Sequence, residues 1–246
     1  MTLIKKNRIE WQNVRLVPIL HNRMEFAIEV RRQFEEFRPD RVTVEYPDTL
    51  RDKILQGVKR LPLLSVVYYE DKDGAFTYLL LEPTDGQVEA VRMALSEGLP
   101  IHFIDRDTSG YPLDYSPMPD PYAVKTIGHF LYSQAYLKVN QTHTSFPEDT
   151  LREKTVAYHL QRLSRQGERI LFVGGLSHLP GLQDLLDQPQ TQVIGRRKRE
   201  GVGLAHLHKE SSQEILSEIP YLAAAYEQAR SSDGLDKMDR LKIIGQ

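Results

Sequence analysis

Four short apolar runs constrain the fold of this chain most, because each of them leads into an ionisable side chain. Runs of this length, rich in Val, Ile and Leu, are typical of β-strands. In an open α/β sheet, ligands bind in the crevice at the carboxyl ends of the strands. The sequence therefore predicts one site built from strand-end residues, which are His21 after residues 14–20, Glu45 in residues 42–46, Asp105 and Asp107 after residues 101–104, and His178 after residues 170–173.

The first of these strands begins a unit with the length of a β–α–β crossover. Asn22 can cap a helix, and apolar residues then recur at helical spacing from Met24 to Phe37, before Pro39-Asp40 ends the pattern. A second helix is predicted over residues 48–58. Two further β-patterned runs, 63–69 and 75–81, flank the sequence Glu-Asp-Lys-Asp-Gly, which predicts a hairpin.

The remaining pattern completes an α/β order with an antiparallel element. It predicts helices over 87–97, 123–140, 147–166, about 179–186 and 213–230, with a last strand over 203–208. The predicted fold is a mixed, mostly parallel sheet flanked by helices in a domain of residues 1–210, followed by a helical C-terminal extension of residues 211–246. Segment 108–121, irregular and rich in Pro, Tyr and Asp, follows Asp105 directly and is interpreted as a lid.

Composition narrows the chemistry. Lys and Arg number 32 against 34 Asp and Glu, a net charge of −2, so neither nucleic acid nor an anionic membrane is an expected partner. The chain has no cysteine, which excludes disulfides, a thiol nucleophile and a thiolate metal site. It also lacks the apolar stretch of a signal peptide and any run of about 18 apolar residues, so we expect a cytoplasmic protein. The sequence makes no prediction of the oligomeric state.

Four motifs stand in a characteristic order along the chain. Residues 18–21 read Pro-Ile-Leu-His, Glu45 ends the second strand, Arg152 lies on a late helix, and residues 175–178 read Gly-Leu-Ser-His. Together with their secondary structure, these motifs resemble the superfamily of TraB-type pheromone-shutdown proteins, ChaN-like lipoproteins, Tiki-type proteases and erythromycin esterases, whose pattern is GxxH, Glu, Arg and a second GxxH.

The resemblance covers about residues 14–186. The stretches RPDRVTVEYP and VRMALSEGLPIHFIDRD and the hairpin between them also resemble an uncharacterised branch of this superfamily, often encoded beside MoxR-type ATPases and VWA-domain proteins. Two positions depart from the pattern: Pro18 replaces the Gly of the first GxxH, and Leu151 stands where many relatives have Glu.

The resemblance implies a hydrolase acting on a small molecule or a peptide. His21, Glu45 and His178 would either bind a divalent metal (Mn, Co or Zn) that activates water or act without metal. In the metal-free form, His21 removes a proton from water while Arg152 and His178 stabilise the oxyanion. Asp105 joins them, because it immediately follows the third apolar run, and only one of Asp105 and Asp107 is expected to face the crevice.

Other interpretations stay open at this stage. The first is a non-catalytic module that binds a ligand or peptide within an assembly containing MoxR-type ATPases and VWA-domain proteins. Arg152 has two alternatives, since its guanidinium can hold Glu45 or an oxyanion. His206 and His208 share one face of the predicted last strand and have the spacing of two metal ligands, and the basic cluster 196–199 could contact phosphate or nucleic acid.

Overall fold

Two β-sheets, one large and mixed and one small and antiparallel, organise the chain. The computed structural model describes residues 4–5, 8–71, 74–108, 117–140, 146–195, 199, 201–232 and 234–245. The strands are β1 (Ile4–Lys5), β2 (Arg8–Trp11), β3 (Val14–Ile19), β4 (Arg41–Pro47), β5 (Ser65–Glu70), β6 (Phe76–Leu81), β7 (Ile101–Asp105), β8 (Ile170–Gly175) and β9 (Gly203–His206). The helices are α1 (Met24–Phe37), α2 (Arg51–Val58), α3 (Gly86–Glu97), α4 (Ala123–Ile127), α5 (His129–Val139), α6 (Pro147–Ser164), α7 (Leu179–Leu186), α8 (Ser212–Ile215), α9 (Pro220–Ser231) and α10 (Arg240–Ile244).

The large sheet has the strand order β1-β2-β3-β8-β4-β7. Strands β3, β8, β4 and β7 run parallel, whereas β1 and β2 join the β3 edge antiparallel. Strands β3, β4 and β8 are buried along their whole length, as strands covered on both faces are. The predicted crossover from β3 through α1 to β4 forms, but β8, from much later in the chain, lies between its two strands. The predicted α/β fold with a mixed, mostly parallel sheet flanked by helices is confirmed.

Two helices cover the sheet near the predicted site. Helix α1 buries the apolar stripe Phe26, Val30 and Phe34. Helix α3 is capped by Asp85, whose carboxylate accepts hydrogen bonds from the backbone amides of its first turn, and it stops at Gly98, which has a φ of 66°.

The small sheet has the order β6-β5-β9 and is antiparallel throughout. Its β5–β6 hairpin was predicted, and the late strand β9 adds to the free edge of β5. The prediction that this strand runs to residue 208 is wrong, because β9 ends at His206 and a 3-10 turn begins at Lys209. His206 and His208 therefore do not share a strand face.

Two predicted helices are interrupted. The helix predicted over 123–140 breaks at Gly128, whose φ of 81° and ψ of 155° are not helical. The helix predicted over 213–230 divides into α8 and α9, because Leu216 is extended and Pro220 begins the second helix. Proline lacks the amide hydrogen that a helix interior needs, but it suits the first turn.

The C-terminal segment packs on the α/β body. Met24 and Ala27 of α1 are buried against Tyr226 of α9. Buried Arg240, at the start of α10, links the C-terminal segment to α1, because it forms ion pairs with Glu25 of α1 and with Glu218. Among the described residues, no helix is long and apolar enough to cross a membrane. Most of the predicted lid, residues 109–116, lies outside the described residues.

Candidate functional site

A cleft of about 500 Å³ opens at the carboxyl edge of the large sheet. The β5–β6 hairpin forms one wall, with Tyr69 and Tyr78 facing the cleft. The five residues predicted for the site all line it: His21 after β3, Glu45 on β4, Asp105 on β7, Arg152 on α6 and His178 before α7. Strand-end placement therefore brings together side chains separated by up to 157 positions, the difference between residues 21 and 178.

Glu45 lies at the centre of the cleft floor. The register of β4 against β7 shifts between Val44 and Pro47, and such irregularities re-aim side chains at the end of a strand. One carboxylate oxygen, Oε1, lies 2.7 Å from Arg152 Nη2 and 3.0 Å from His178 Nε2. The other, Oε2, accepts the backbone N–H of Gly175. Burial alone would raise the pKa of Glu45, but the positive charges of His178 and Arg152 outweigh it and lower that pKa to about 2.

His178 lies between two carboxylates. Its Nε2 faces Glu45, and its Nδ1 lies 3.1 Å from Oε1 of Glu153 on α6. Burial opposes the charged form, yet the charge of Glu45 and the hydrogen bonds to both glutamates raise the pKa of His178 to about 10. At neutral pH His178 is therefore an imidazolium ion that donates from both nitrogens.

Arg152 holds three carboxylates together. Its Nε and Nη2 donate to Asp105, its Nη1 donates to Asp149, and its Nη2 also reaches Glu45. Burial raises the pKa of Asp105, an effect that Arg152 opposes and the charge of Glu45 reinforces. The guanidinium of Arg152 thus holds Glu45, which is the first of its two predicted roles, and contact with an oxyanion stays a prediction.

Asp107 lies away from the cleft. It accepts a hydrogen bond of 2.7 Å from the Thr49 hydroxyl and pairs with Arg199, while Asp105 lines the cleft. Only Asp105 of this pair lines the cleft, and β7 ends at this residue, so Asp107 lies beyond the strand.

His21 stands at the mouth of the cleft, with its side chain 49% exposed. Its Nδ1 lies 3.1 Å from Oδ2 of Asp85, which also accepts the Asn22 amide at 3.0 Å. Its Nε2 lies over Gly175, 3.4 Å from the point where a Cβ atom on that residue would sit. Desolvation lowers the pKa of His21, but the hydrogen bond to Asp85 and the charges of Asp85 and Glu45 give a net increase.

Two consecutive glycines let these groups approach the backbone. A Cβ atom on Gly174 would lie 2.7 Å from Oε2 of Glu45, closer than side-chain atoms come. A Cβ atom on Gly175 would contact His21 and Glu45 at 3.4–3.5 Å. The Gly-Gly pair at the end of β8 thus makes room for the carboxylate at the centre of the site.

Pro18, which departs from the GxxH pattern, lies within β3 opposite Gly174. Its carbonyl oxygen accepts a hydrogen bond of 2.7 Å from Nε2 of buried His129. Burial lowers the pKa of His129, so this imidazole is neutral and donates its single ring N–H to Pro18. With Pro18 in this position, His21 still reaches the cleft.

The donor set in this arrangement fits a divalent metal poorly. His178 has both ring nitrogens against carboxylates, and an imidazolium ion has no lone pair for a metal. The guanidinium of Arg152 lies against Glu45 Oε1, where a bound cation would be repelled. Among the described residues, no group of three or more His, Asp or Glu side chains could hold a metal ion. A metal on His21, Glu45 and His178 stays a prediction.

The other predicted sites lie elsewhere. His206 is 3.3 Å from the Ser65 hydroxyl, and His208 is exposed beside Glu210. In the basic cluster, residues 196–198 lie outside the described residues. Arg199 pairs with Asp107 and stacks 3.8 Å over the ring of Tyr69, so this arginine has a structural role.

Three carboxylates that contact the predicted site residues were not themselves predicted. Asp85 orients His21, Glu153 pairs with His178, and Asp149 pairs with Arg152. A signal for Asp85 exists in Thr-Asp-Gly-Gln before an amphipathic pattern, which is typical of a helix cap. Asp149 has no distinctive sequence signal, because acidic residues are common in a first helical turn. Glu153, in the second turn of α6, has none either, because it is one of many charged residues in that helix.

Comparison of the chain with protein-family models, curated proteins and solved structures gives no match. The resemblance seen in the four motifs stays a prediction, and the site is interpreted from its own geometry.

Proposed function

We propose that the protein is a hydrolase of carboxylic esters or amides that activates water with His21 and needs no metal ion. The observation that carries this proposal is the contact between His21 Nδ1 and Asp85, which leaves Nε2 over the cleft floor. A carboxylate on one ring nitrogen fixes the tautomer in which the other can accept a proton. Half-exposed His21 is also open to water and to a small molecule or a peptide.

In the proposed reaction, His21 Nε2 takes a proton from a water molecule whose oxygen attacks the carbonyl carbon. Asp85 stabilises the imidazolium that forms, because its pKa is kept low by hydrogen bonds from His21 and from backbone amides, despite its burial. The imidazolium then gives the proton to the leaving oxygen or nitrogen as the bond from carbon to that atom breaks. The products are a carboxylic acid and an alcohol or amine.

The developing oxyanion is stabilised in this proposal by the positive charges of Arg152 and His178, whose N–H groups are directed at carboxylates in the free site. Both are cationic at neutral pH and both contact Oε1 of Glu45. Glu45, with its lowered pKa, is a poor base at neutral pH, so its proposed role is to position these two cations. Fixed charges in a partly enclosed site act more strongly than the same charges in water.

The test is hydrolysis of 4-nitrophenyl esters and of fluorogenic peptides by wild type, His21→Ala and His208→Ala. His208 is an exposed histidine outside the cleft and serves as the matched control. We expect His21→Ala to lower kcat by about 10²–10⁴, the contribution of a general base, with folding and the His208→Ala rate unchanged. Full activity in His21→Ala would refute the proposal.

The same proteins distinguish the remaining interpretations. Activity that survives a chelator supports the metal-free form, whereas a stoichiometric metal lost in both His21→Ala and His178→Ala would overturn it. Saturable binding of a ligand with no turnover of any ester or peptide would instead identify a binding module.

A further inference from the structure

Two polar residues that line the cleft, Glu82 and Gln87, have no part in the proposed reaction. Glu82 follows β6, and Gln87 lies in the first turn of α3. They flank Asp85 in sequence, and Asn22 donates to the Ser217 hydroxyl at 3.2 Å, which links this part of the cleft to His21. This region is therefore continuous with the water-activating histidine.

Gln87 has a buried acceptor without a donor. Its side chain is 1% exposed, and its Oε1 atom has no hydrogen-bond partner among the described residues. A buried carbonyl oxygen that lacks a hydrogen bond is destabilising, so native proteins rarely keep one unless another group supplies the donor. Gln87 is among the residues that line the cleft, so a ligand bound there can supply this donor.

Glu82 is a buried carboxylate that lacks a cation. It accepts hydrogen bonds from the backbone amides of Ser217 and Glu218, at 2.9 and 3.4 Å. No Lys, Arg or His in the described part of the chain pairs with it, and burial raises its pKa. Buried carboxylates are normally paired with a positive charge.

The surroundings reinforce the preference for a cation. The cleft contains five carboxylates, those of Glu45, Glu82, Asp85, Asp105 and Asp149, against Arg152, protonated His178 and His21, whose pKa is raised by its contact with Asp85 despite desolvation. Tyr46, Tyr69 and Tyr78 contribute aromatic rings, whose faces attract cations. The positive end of α3 would oppose a cation, but Asp85 caps that end with its own negative charge.

We propose that Gln87 and Glu82 form a subsite for a protonated amino group, so that the substrate is an ester or amide carrying a primary ammonium group. The ammonium donates to Gln87 Oε1 and supplies the positive charge that Glu82 lacks. Calling the ligand a substrate rests on the proposed hydrolase function, whereas the subsite itself is a binding property. Anionic substrates such as phosphate esters are disfavoured by the same charges.

The test uses a probe that carries only the recognised group. Benzylammonium and benzyl alcohol have similar size, and both donate hydrogen bonds, but only the first is charged. We would titrate each by calorimetry into wild type, Gln87→Leu, Glu82→Gln and the control Glu97→Gln, which removes an exposed carboxylate at the far end of α3. Wild type and Glu97→Gln should bind benzylammonium at least tenfold more tightly than benzyl alcohol. Gln87→Leu and Glu82→Gln should each reduce this preference about tenfold, or about 1.4 kcal/mol.

Thermal unfolding separates binding from structure. Gln87→Leu removes an orphan acceptor, so its Tm should equal or exceed that of wild type while the preference falls. Equal binding of the two probes by wild type, or a preference that survives both substitutions, would overturn the proposal. The proposal would also be overturned if the preference for benzylammonium falls in Gln87→Leu only together with the Tm of that variant.

Ester hydrolysis then separates this proposal from the previous one. A Gln87-dependent preference for benzylammonium without turnover of any ester keeps the subsite and refutes the hydrolase. Turnover of esters without that preference keeps the hydrolase and refutes the subsite.

Discussion

Replacement of Asp85 by Asn tests the proposed chemistry most directly. Oδ1 of Asp85 accepts the amides of Gln87 and Val88 at 2.8 and 3.2 Å, and Oδ2 accepts from Asn22 and from His21. An Asn side chain has one oxygen, so it can accept from only one of these two pairs of groups, and it presents its NH₂ group to the other pair. If its oxygen stays on the helix, its NH₂ faces Nδ1 and favours the tautomer of His21 that carries its proton on Nε2.

The expected loss of activity is much larger than the loss of stability. An amide in place of the carboxylate that orients a catalytic histidine lowers kcat by about 10⁴ in the serine protease triad. We expect about 10³–10⁴ for Asp85→Asn, which corresponds to about 4–5 kcal/mol of activation free energy. Asn caps helices as well as Asp does, so the helix end loses only a charge, about 1 kcal/mol. The lost hydrogen bond from the Asn22 amide adds about 1 kcal/mol, and the two together correspond to roughly 4–8 °C in Tm.

The assay is the pH dependence of ester hydrolysis. A histidine base must be neutral, so the wild-type rate should rise with pH through the raised pKa of His21. Asp85→Asn removes two of the causes that raise this pKa, so the inflection should move to lower pH. Asp239→Asn, at the cap of α10, is the matched control for an Asp-to-Asn change at a helix end. More than a tenth of wild-type activity in Asp85→Asn, or an unmoved inflection, would refute the role of Asp85.

Three further predictions concern the ion pairs. The pKa of His178 is raised from 6.5 to about 10, so the stability from its pairing is complete below pH 6.5 and lost as pH rises through about 10. The Tm of wild type should therefore fall over this pH range more steeply than the Tm of His178→Asn. Parallel curves of Tm against pH would contradict the pairing. In Gly181→Ala, the new methyl group would collide with the carboxylate of Glu153 and displace it. The pKa of His178, measured by NMR titration, should then fall while the fold persists. An unchanged pKa would argue against this displacement. Arg240→Met leaves two buried glutamates without their cation and should lower the free energy of unfolding by about 3–5 kcal/mol. This corresponds to a fall of roughly 6–20 °C in Tm. A Tm within 2 °C of wild type, or less than about 1 kcal/mol, would show that these ion pairs contribute little to stability.

The sheet and its flanking helices could be predicted because their patterns are local. Continuous apolar runs identify β3, β4, β7 and β8, and amphipathic spacing identifies α1. The position of β8 between β3 and β4 could not be read in this way, because strand order depends on pairing between distant segments. The break at Gly128 was missed because the apolar spacing continues through it, although the conformation of a single glycine decides the outcome.

The residues of the site likewise divide into those that local patterns predict and those that depend on distant packing. His21, Glu45, Asp105 and His178 could be placed in one cleft because all of them follow from one rule, the convergence of parallel strand ends. Their partners could not, because Glu153 on the long helix α6 is indistinguishable in sequence from a solvated acid. Its role becomes visible only when α6 packs beside α7, which brings the carboxylate to His178.

The contact between Glu82 and Ser217 has a consequence for the timing of biosynthesis. The two residues are 135 positions apart. At about 5–20 residues per second, roughly 7–27 s of translation separate them. During this interval the carboxylate of Glu82 has no backbone amides from the C-terminal segment and remains hydrated, and the wall formed by Ile215 and Ser217 does not yet exist. The cleft is therefore completed last, because β8 and β9, which complete the two sheets, both precede Ser217 in the chain.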